Sequence, residues 1–215
     1  MSMSELHKPE WYGECAIISD KYNDYVQIKY KCNGTGTLYD YSLFPGINLI
    51  FMDFNCSDIF HEPIPNKNII EIRHYQKGRV EFELRNNKVF HMKEGELCIN
   101  ALANVPAAYS FPFGYSVGLS CVIDKDSIDA KTKQIFSYYN IDVLNLGQEL
   151  EIEKKWFLCR TPQRLLHIFD ELYAAKGVEG KDYFRIKLLE LFYHIKQLRI
   201  EDQYLSLIHI SEPTR

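Results

Sequence analysis

Three histidines in the first half of the chain are the residues whose types best suit metal chemistry. His61, His74 and His91 lie among short apolar runs. A metal site needs several neutral imidazoles and a carboxylate that converge on one cation. None of the three belongs to an HxH pair, and residues 95–124 contain no histidine. The sequence therefore predicts no metal site and no cofactor.

A set of charged side chains in the same region is the better candidate for binding a ligand. Its members are Glu71, Arg73, His74, Arg79 and Glu81. Strand periodicity places His74 on one face with Ile70 and Ile72, and it places Glu71 and Arg73 on the other. The charges either form a solvated cross-strand set or orient a polar ligand inside an apolar lining. His74 is either a half-buried histidine with satisfied hydrogen bonds or a ligand contact.

Motifs of nucleotide binding and nucleophilic catalysis are weak. Gly34-Thr35-Gly36 lacks the third glycine and the following helix of a dinucleotide loop, and no P-loop spacing occurs. No cysteine has a histidine nearby in a catalytic context. The sequence yields no catalytic residue, and it predicts that the chain is not an enzyme.

Short strands must position the charged set. Val26, Ile28 and Tyr30 alternate with polar residues, as do Val80 and Phe82 further along. Turn residues such as Gly, Pro and Asn separate these runs through to residue 124. Many short strands at regular spacing predict a mainly β chain built as a barrel or sandwich. Residues 126–138 favour a helix, and residues 156–159 favour a last strand.

The period changes to that of helices near the C-terminus. Thr161 is predicted to cap a helix that has Pro162 in its first position. A second helix is predicted over about 181–199. It carries an apolar stripe of Phe184, Leu188, Leu191, Phe192, Ile195 and Leu198. This antiparallel helix pair packs on its own barrel, on the matching stripe of a second copy, or on both.

Three segments in order carry a family resemblance. They are YSLFPGINLIFMDFN (41–55), IIEIRHYQKGRVEFEL (69–84) with GELCIN from Gly95, and FPFGYSVGLSCVID (111–124). Followed by two helices, they resemble the amino-terminal half of AraC-family bacterial transcription regulators. The resemblance implies a cupin-like β-barrel of jelly-roll type that senses a small molecule or mediates dimerisation. It also implies two helix-turn-helix units further on, whose second helices enter the major groove of DNA. Nothing in this sequence matches those units.

The expected organisation follows from this resemblance. We expect a ligand-sensing barrel at 1–160 and a helical hairpin at 161–204 that makes a homodimer. The function expected is effector sensing and dimerisation in a regulator that contacts DNA through a domain absent from this chain. The alternative is a freestanding cupin metalloenzyme. Enzymatic cupins hold their metal with an HxH pair, a glutamate and a later histidine, and here that set is incomplete.

Composition supports a globular protein without a DNA-binding surface of its own. The 215 residues are 46% hydrophobic and 25% charged, with a net charge of −4. The start of the chain has no apolar signal-peptide stretch and no run is long enough for a membrane span, so a cytoplasmic location is expected. The six cysteines are then expected to be reduced. Residues 205–215, LSLIHISEPTR, are identified as a translated sequencing adapter, and the natural protein is expected to continue beyond Tyr204.

Overall fold

The computed structural model describes residue 12 and residues 15–60, 68–84, 89–101 and 106–203. This part of the chain contains eleven strands and three α-helices. The strands are β1 (Ala16–Lys21), β2 (Val26–Tyr30), β3 (Gly34–Phe44), β4 (Ile47–Cys56), β5 (Asp58–Phe60), β6 (Ile69–Leu84), β7 (Val89–Lys93), β8 (Glu96–Ala101), β9 (Pro106–Ser110), β10 (Ser116–Asp124) and β11 (Phe157–Arg160). The helices are α1 (Ala130–Tyr138), α2 (Gln163–Ala175) and α3 (Lys181–Ile195).

The strands form one curled antiparallel sheet, a half-barrel. Its main path runs β1-β2-β3-β4-β10-β6-β8-β11. The 16-residue strand β6 pairs with β10 and β8 in its first half and with β7 and β9 in its second half. The change falls at Gly78, which has φ +86°, opposes Ser116 of β10 and lies two residues after Gln76, the extra residue of a register shift in β6. An added Cβ at Gly78 would lie 2.4 Å from the carbonyl oxygen of Tyr115, so glycine permits this bend.

The two faces of the sheet bury different cores. The concave face encloses an apolar cluster that includes Ile28, Tyr75, Phe82 and Val122. The convex face packs against the helices, with Leu119 in the same cluster as residues of α2 and α3. Side chains alternate across a strand, so neighbouring residues of β6 and β10 enter different cores. Both faces of the central strands are therefore buried.

The apolar stripe of α3 is occupied within the chain. All six residues are at most 1% exposed and belong to the core between helices and sheet: Phe184, Leu188, Leu191, Phe192, Ile195 and Leu198. Phe184 packs edge-on against Tyr41 of β3, with ring centroids 4.8 Å apart. Their apolar surface covers the convex face of the chain's own sheet, which is one of the two packings expected for the stripe, and their part in a dimer interface stays a prediction.

Several predictions on elements can be compared directly with the structure. A mainly β chain followed by two amphipathic helices is confirmed. Helix α2 begins one residue later than predicted, because Thr161 still extends β11 and its amide donates to the Gly95 carbonyl at 2.9 Å. Helix α3 ends at Ile195, before the predicted boundary at 199. The division into units 1–160 and 161–204 stays a prediction, and the tail at 205–215 lies outside the described residues.

Candidate functional site

Strand β6 places Glu71 and Arg73 on the concave face, inside the curled sheet. Their side chains are almost completely buried, since the residues are 4% and 6% exposed. The reading of these two charges as a solvated set is therefore wrong. Strand β6 is flanked by β8 and β10, and the half-barrel folds over the face that the sequence pattern suggested was open.

The two charges form a compact polar cluster with groups from neighbouring strands. Arg73 Nε lies 2.7 Å from Glu71 Oε1, and Arg73 Nη2 donates to the Tyr109 hydroxyl at 3.0 Å. Ser120 of β10 donates a hydrogen bond to the same Glu71 oxygen. The guanidinium also lies 5.1 Å from the ring centroid of Phe82, within cation–π range. Residues of three strands, β6, β9 and β10, thus converge on one ion pair.

Electrostatics keep Arg73 charged in this setting. Burial works against the charge, but the Glu71 carboxylate and the phenols of Tyr109 and Tyr75 outweigh it and raise the pKa of Arg73. Burial raises the pKa of both phenols, so they remain neutral hydrogen-bonding groups at pH 7. A buried ion pair is weak support for stability, because desolvating each ion costs several kcal/mol. Such a pair inside a barrel is therefore a candidate for ligand binding.

Several buried polar atoms beside the ion pair lack a hydrogen-bond partner among the described residues. They are Glu71 Oε2, Arg73 Nη1 and Asn100 Oδ1. Asn100 lies opposite Glu71 in the β6–β8 register, so its side chain borders the pair. Buried polar groups are nearly always hydrogen-bonded. The cluster therefore carries a donor and two acceptors on the inner face of the half-barrel.

A second buried polar group lies across the sheet on β3 and β4. Asn48 Nδ2 donates to Asp40 Oδ1 at 2.7 Å, and the Tyr12 hydroxyl donates to the other oxygen of Asp40. The Tyr30 hydroxyl in turn donates to the Tyr12 carbonyl oxygen at 2.9 Å. Both Asp40 and Asn48 are at most 1% exposed. This group fixes Tyr12 against the barrel.

His74 is separated from Glu71 and Arg73 by the sheet itself. Its ring stacks on Phe169 of α2 at 4.1 Å, with 7° between the planes. The Tyr173 hydroxyl donates to the His74 carbonyl oxygen at 3.0 Å and lies 3.1 Å from Nδ1, so Nδ1 carries the proton that points at the phenol. Burial lowers the pKa of His74 to about 4, which leaves the imidazole neutral at pH 7. His74 contacts a helix, not the polar cluster.

Arg79 and Glu81 lie further along β6, beyond the bend at Gly78. They form an ion pair with 2.7 Å between Nη2 and Oε1, and both side chains are half-buried. Val80 and Phe82, which alternate with them, enter the concave core. The structure therefore brings together Glu71 and Arg73 and leaves His74, Arg79 and Glu81 outside this cluster.

Four polar residues of the two groups escaped the sequence-based reasoning: Asp40, Asn48, Asn100 and Ser120. Each interrupts a run that is otherwise apolar, as Ser120 does between Leu119 and Cys121. A polar residue within a strand buried on both faces needs a partner inside the protein. That signal could have identified them.

A GxSxG pattern, Gly114-Tyr115-Ser116-Val117-Gly118, was also overlooked in the sequence. In serine hydrolases this pattern forms a sharp turn between a strand and a helix that exposes the serine. Here Ser116 is fully buried at the start of β10 and pairs with Phe54 and Gly78. The structural context of a nucleophile elbow is therefore not present at Ser116.

The metal candidates remain dispersed. His61 lies outside the described residues, His74 is under α2, and His91 lies on β7. Within the described ranges, no group of three or more His, Cys, Asp or Glu side chains is arranged to hold a metal ion. None of the helices in those ranges is long and apolar enough to cross a membrane.

Comparison with known proteins gives no family and only distant structural similarity. No family model matches the chain, and no curated protein matches it. The AraC-like transcriptional activator CuxR is 7% identical over 76% of this chain and 54% of its own, with a TM-score of 0.46. The Cupin_2 domain of an XRE family transcriptional regulator from Enterobacter cloacae is 12% identical over 41% of this chain and 94% of its own, with a TM-score of 0.34. This chain spans about half the length of the two longer regulators that it matches.

Enzymes also occur among these similar structures. A single-residue variant of oxalate decarboxylase OxdC from Bacillus subtilis is 12% identical over 67% of this chain and 42% of its own, with a TM-score of 0.34. The described strands and helices themselves form the mainly β half-barrel that was predicted, and cupin domains are among the similar structures. The prediction that the chain is not an enzyme is wrong as an exclusion, because an enzyme, oxalate decarboxylase, is among the similar structures.

Proposed function

We propose that this chain is the effector-sensing part of an AraC-type transcription regulator. The observation that carries the proposal is the buried Glu71–Arg73 pair, in which Glu71 Oε2 and Arg73 Nη1 have no hydrogen-bond partner in the described part of the chain. A ligand that satisfies both atoms gains charge-assisted hydrogen bonds in a setting shielded from water. Binding there would stabilise the barrel against which α2 and α3 pack.

The cluster selects a small polar molecule with both acceptor and donor groups. Arg73 Nη1 supplies a donor, whereas Glu71 Oε2 and Asn100 Oδ1 supply acceptors. The rings of Phe82 and Tyr109 beside the guanidinium add flat apolar surface. Pockets of this composition bury an apolar part of the ligand and orient it through a few polar contacts.

DNA contact and dimerisation complete the proposal but use other surfaces. A net charge of −4 gives the chain no excess of cations to neutralise phosphates, so DNA binding belongs to helix-turn-helix units of the kind that the resemblance implies. A homodimer would use residues exposed on this chain, because the buried stripe of α3 is part of its own core. A cytoplasmic location is part of the same proposal.

Thermal denaturation with a panel of sugars, amino acids and carboxylic acids tests the sensing role. A ligand that binds only the folded state stabilises it by about 2.7 kcal/mol at 100 times its Kd. We expect at least one member of the panel to raise the melting temperature of the wild type. The shift should disappear in Arg73→Lys, which loses the planar fork of donors. It should persist in Arg79→Lys, the matched change on the outer surface.

Two outcomes would contradict the proposal. One is a panel in which no compound raises the melting temperature. The other is a shift of equal size in the wild type, in Arg73→Lys and in Arg79→Lys, which would place the binding site elsewhere. Each variant is compared with its own melting temperature without ligand, so that a change in intrinsic stability does not obscure the result.

A further inference from the structure

Two of the cysteines meet at one end of the half-barrel. Cys32 lies in the turn between β2 and β3, and Cys56 is the last residue of β4. The register of β3 and β4 places Gly34 opposite Cys56. The Gly34 amide donates to the Cys32 carbonyl oxygen at 3.0 Å, so the chain turns tightly around Asn33 and brings Cys32 back over the end of β4.

Gly34 makes this close approach feasible. Its φ of +134° lies in a region that L side chains rarely adopt, and an added Cβ would lie 3.1 Å from the Cys56 Cβ and 2.1 Å from the Asn55 carbonyl oxygen. No side chain at position 34 therefore separates the two thiols. Cys32 packs against the same concave apolar cluster that contains Cys56. The Cys32 side chain is close enough to contribute to the raised pKa of the Cys56 thiol.

The two thiols differ in their access to solvent. Cys32 is half-buried, whereas Cys56 is buried at 4% exposure. Burial first, and then contact with Cys32, raises the pKa of the Cys56 thiol to about 12. Thiolate character and exposure govern oxidation, so a small oxidant meets Cys32 before Cys56.

We propose that Cys32 and Cys56 are an oxidative modification site, at which hydrogen peroxide converts the two thiols to an intramolecular disulfide. The Cys32 thiolate attacks the peroxide oxygen, the O–O bond breaks, and Cys32 becomes a sulfenic acid with release of water. The Cys56 sulfur then attacks Cys32 Sγ, and the sulfenic hydroxyl leaves as a second water with the Cys56 proton. Two electrons pass from the thiols to the peroxide, and a dithiol such as dithiothreitol reverses the change.

The disulfide would tie the turn after β2 to the segment that leads into β5. The residue after Cys56, Ser57, accepts a hydrogen bond from the Phe111 amide at 2.7 Å, so the crosslink adjoins the junction of the two halves of the barrel. Disulfides in reducing compartments are mostly transient and redox-sensing. The site would thus couple barrel rigidity to the oxidation state of its surroundings.

Peptide mapping of the peroxide-treated full chain tests the proposal. The reduced, folded chain is treated with hydrogen peroxide, blocked with a thiol-alkylating agent and digested without reductant. We expect the intact protein to lose two hydrogen atoms and a Cys32–Cys56 crosslinked peptide to appear. The crosslink should be lost in Cys32→Ser and in Cys56→Ser. It should persist in Cys15→Ser, which changes another half-buried cysteine nearby.

A trapping experiment provides an independent readout. In Cys56→Ser, or in Cys56→Ala if the serine variant does not fold, the oxidised Cys32 has no partner, so dimedone should label Cys32 as its sulfenic acid. The wild type should show little label, because Cys56 resolves the intermediate. A Cys15–Cys32 crosslink would overturn the proposal. So would accumulation of sulfinic acid on Cys32 in a wild-type chain whose Cys56 stays reduced.

Discussion

Arg73 Nε lies 2.7 Å from Glu71 Oε1 on the concave side of β6, and both side chains are less than a tenth exposed. The two residues are two positions apart on one strand, so they share a face and meet without a partner from another element. Ser120 and Tyr109 add hydrogen bonds from β10 and β9. An ion pair held this way is costly to break and offers little stability of its own.

The first prediction concerns that pair. Glu71→Leu and Arg73→Met should each destabilise the chain by about 3–5 kcal/mol, because each leaves one buried charge without its counter-ion. The double variant Glu71→Leu/Arg73→Met should recover most of this loss, since two apolar groups of similar volume need no pairing. Urea unfolding at pH 7 measures all three. Additive losses in the double variant would contradict the interpretation of Glu71 and Arg73 as a coupled pair.

The second prediction concerns the stripe of α3. Leu191 is fully buried in the core shared by helices and sheet, so Leu191→Ala should lower the free energy of unfolding by about 2–5 kcal/mol. Ile186 on the same helix is 64% exposed, and Ile186→Ala should change it by at most about 0.5 kcal/mol. Denaturant titration compares the two. Equal effects would show that the stripe is not packed on its own sheet in solution.

The sequence predicted helix α3 and strand β6 to different extents. The spacing of Phe184, Leu188 and Leu191 was enough to predict an amphipathic helix, because helical periodicity is a local property. It could not decide between the chain's own sheet and a second copy, since both offer the same apolar surface. The alternation of Glu71 and Arg73 with Ile70 and Ile72 predicted a strand with one buried and one solvent-exposed face. Closure of the barrel over that face depends on pairing between distant strands, which no local pattern reveals.

The third prediction concerns acid stability. Burial lowers the pKa of His74 from 6.5 to about 4, so the unfolded chain takes up this proton at a higher pH than the folded chain. The contribution of His74 to stability is therefore complete above pH 6.5 and is lost as the pH falls towards 4. The full loss is about 3 kcal/mol, at 1.36 kcal/mol per pKa unit.

Replacement of His74 isolates this contribution. Unfolding free energies at pH 7, 6, 5 and 4 should fall less steeply for His74→Gln than for the wild type. His167→Gln is the matched control, because His167 lies on the surface and pairs with Glu190 at 3.0 Å. If the unfolding free energies of His74→Gln and the wild type fall in parallel with pH, the buried imidazole is not the cause of the loss of stability in acid.

The fourth prediction concerns the contact between Tyr12 and Asp40. The Tyr12 hydroxyl donates to a buried carboxylate, so Tyr12→Phe should lower the free energy of unfolding by about 1.5–3 kcal/mol. Tyr22→Phe, which changes a phenol that is 51% exposed, should have little effect. Thermal denaturation of both variants measures the difference. If Tyr12→Phe has the same melting temperature as the wild type, the Tyr12 hydroxyl does not stabilise the second polar group of the barrel in solution.

Native mass spectrometry of the full chain mixed with a pool of sugars, amino acids and carboxylic acids tests most directly whether the barrel interior binds a small polar molecule. The wild type should retain one such molecule per chain, and the folded Glu71→Leu/Arg73→Met variant should retain none. A wild type that retains no ligand, or a double variant that retains the same ligand equally well, would contradict effector sensing at Glu71 and Arg73.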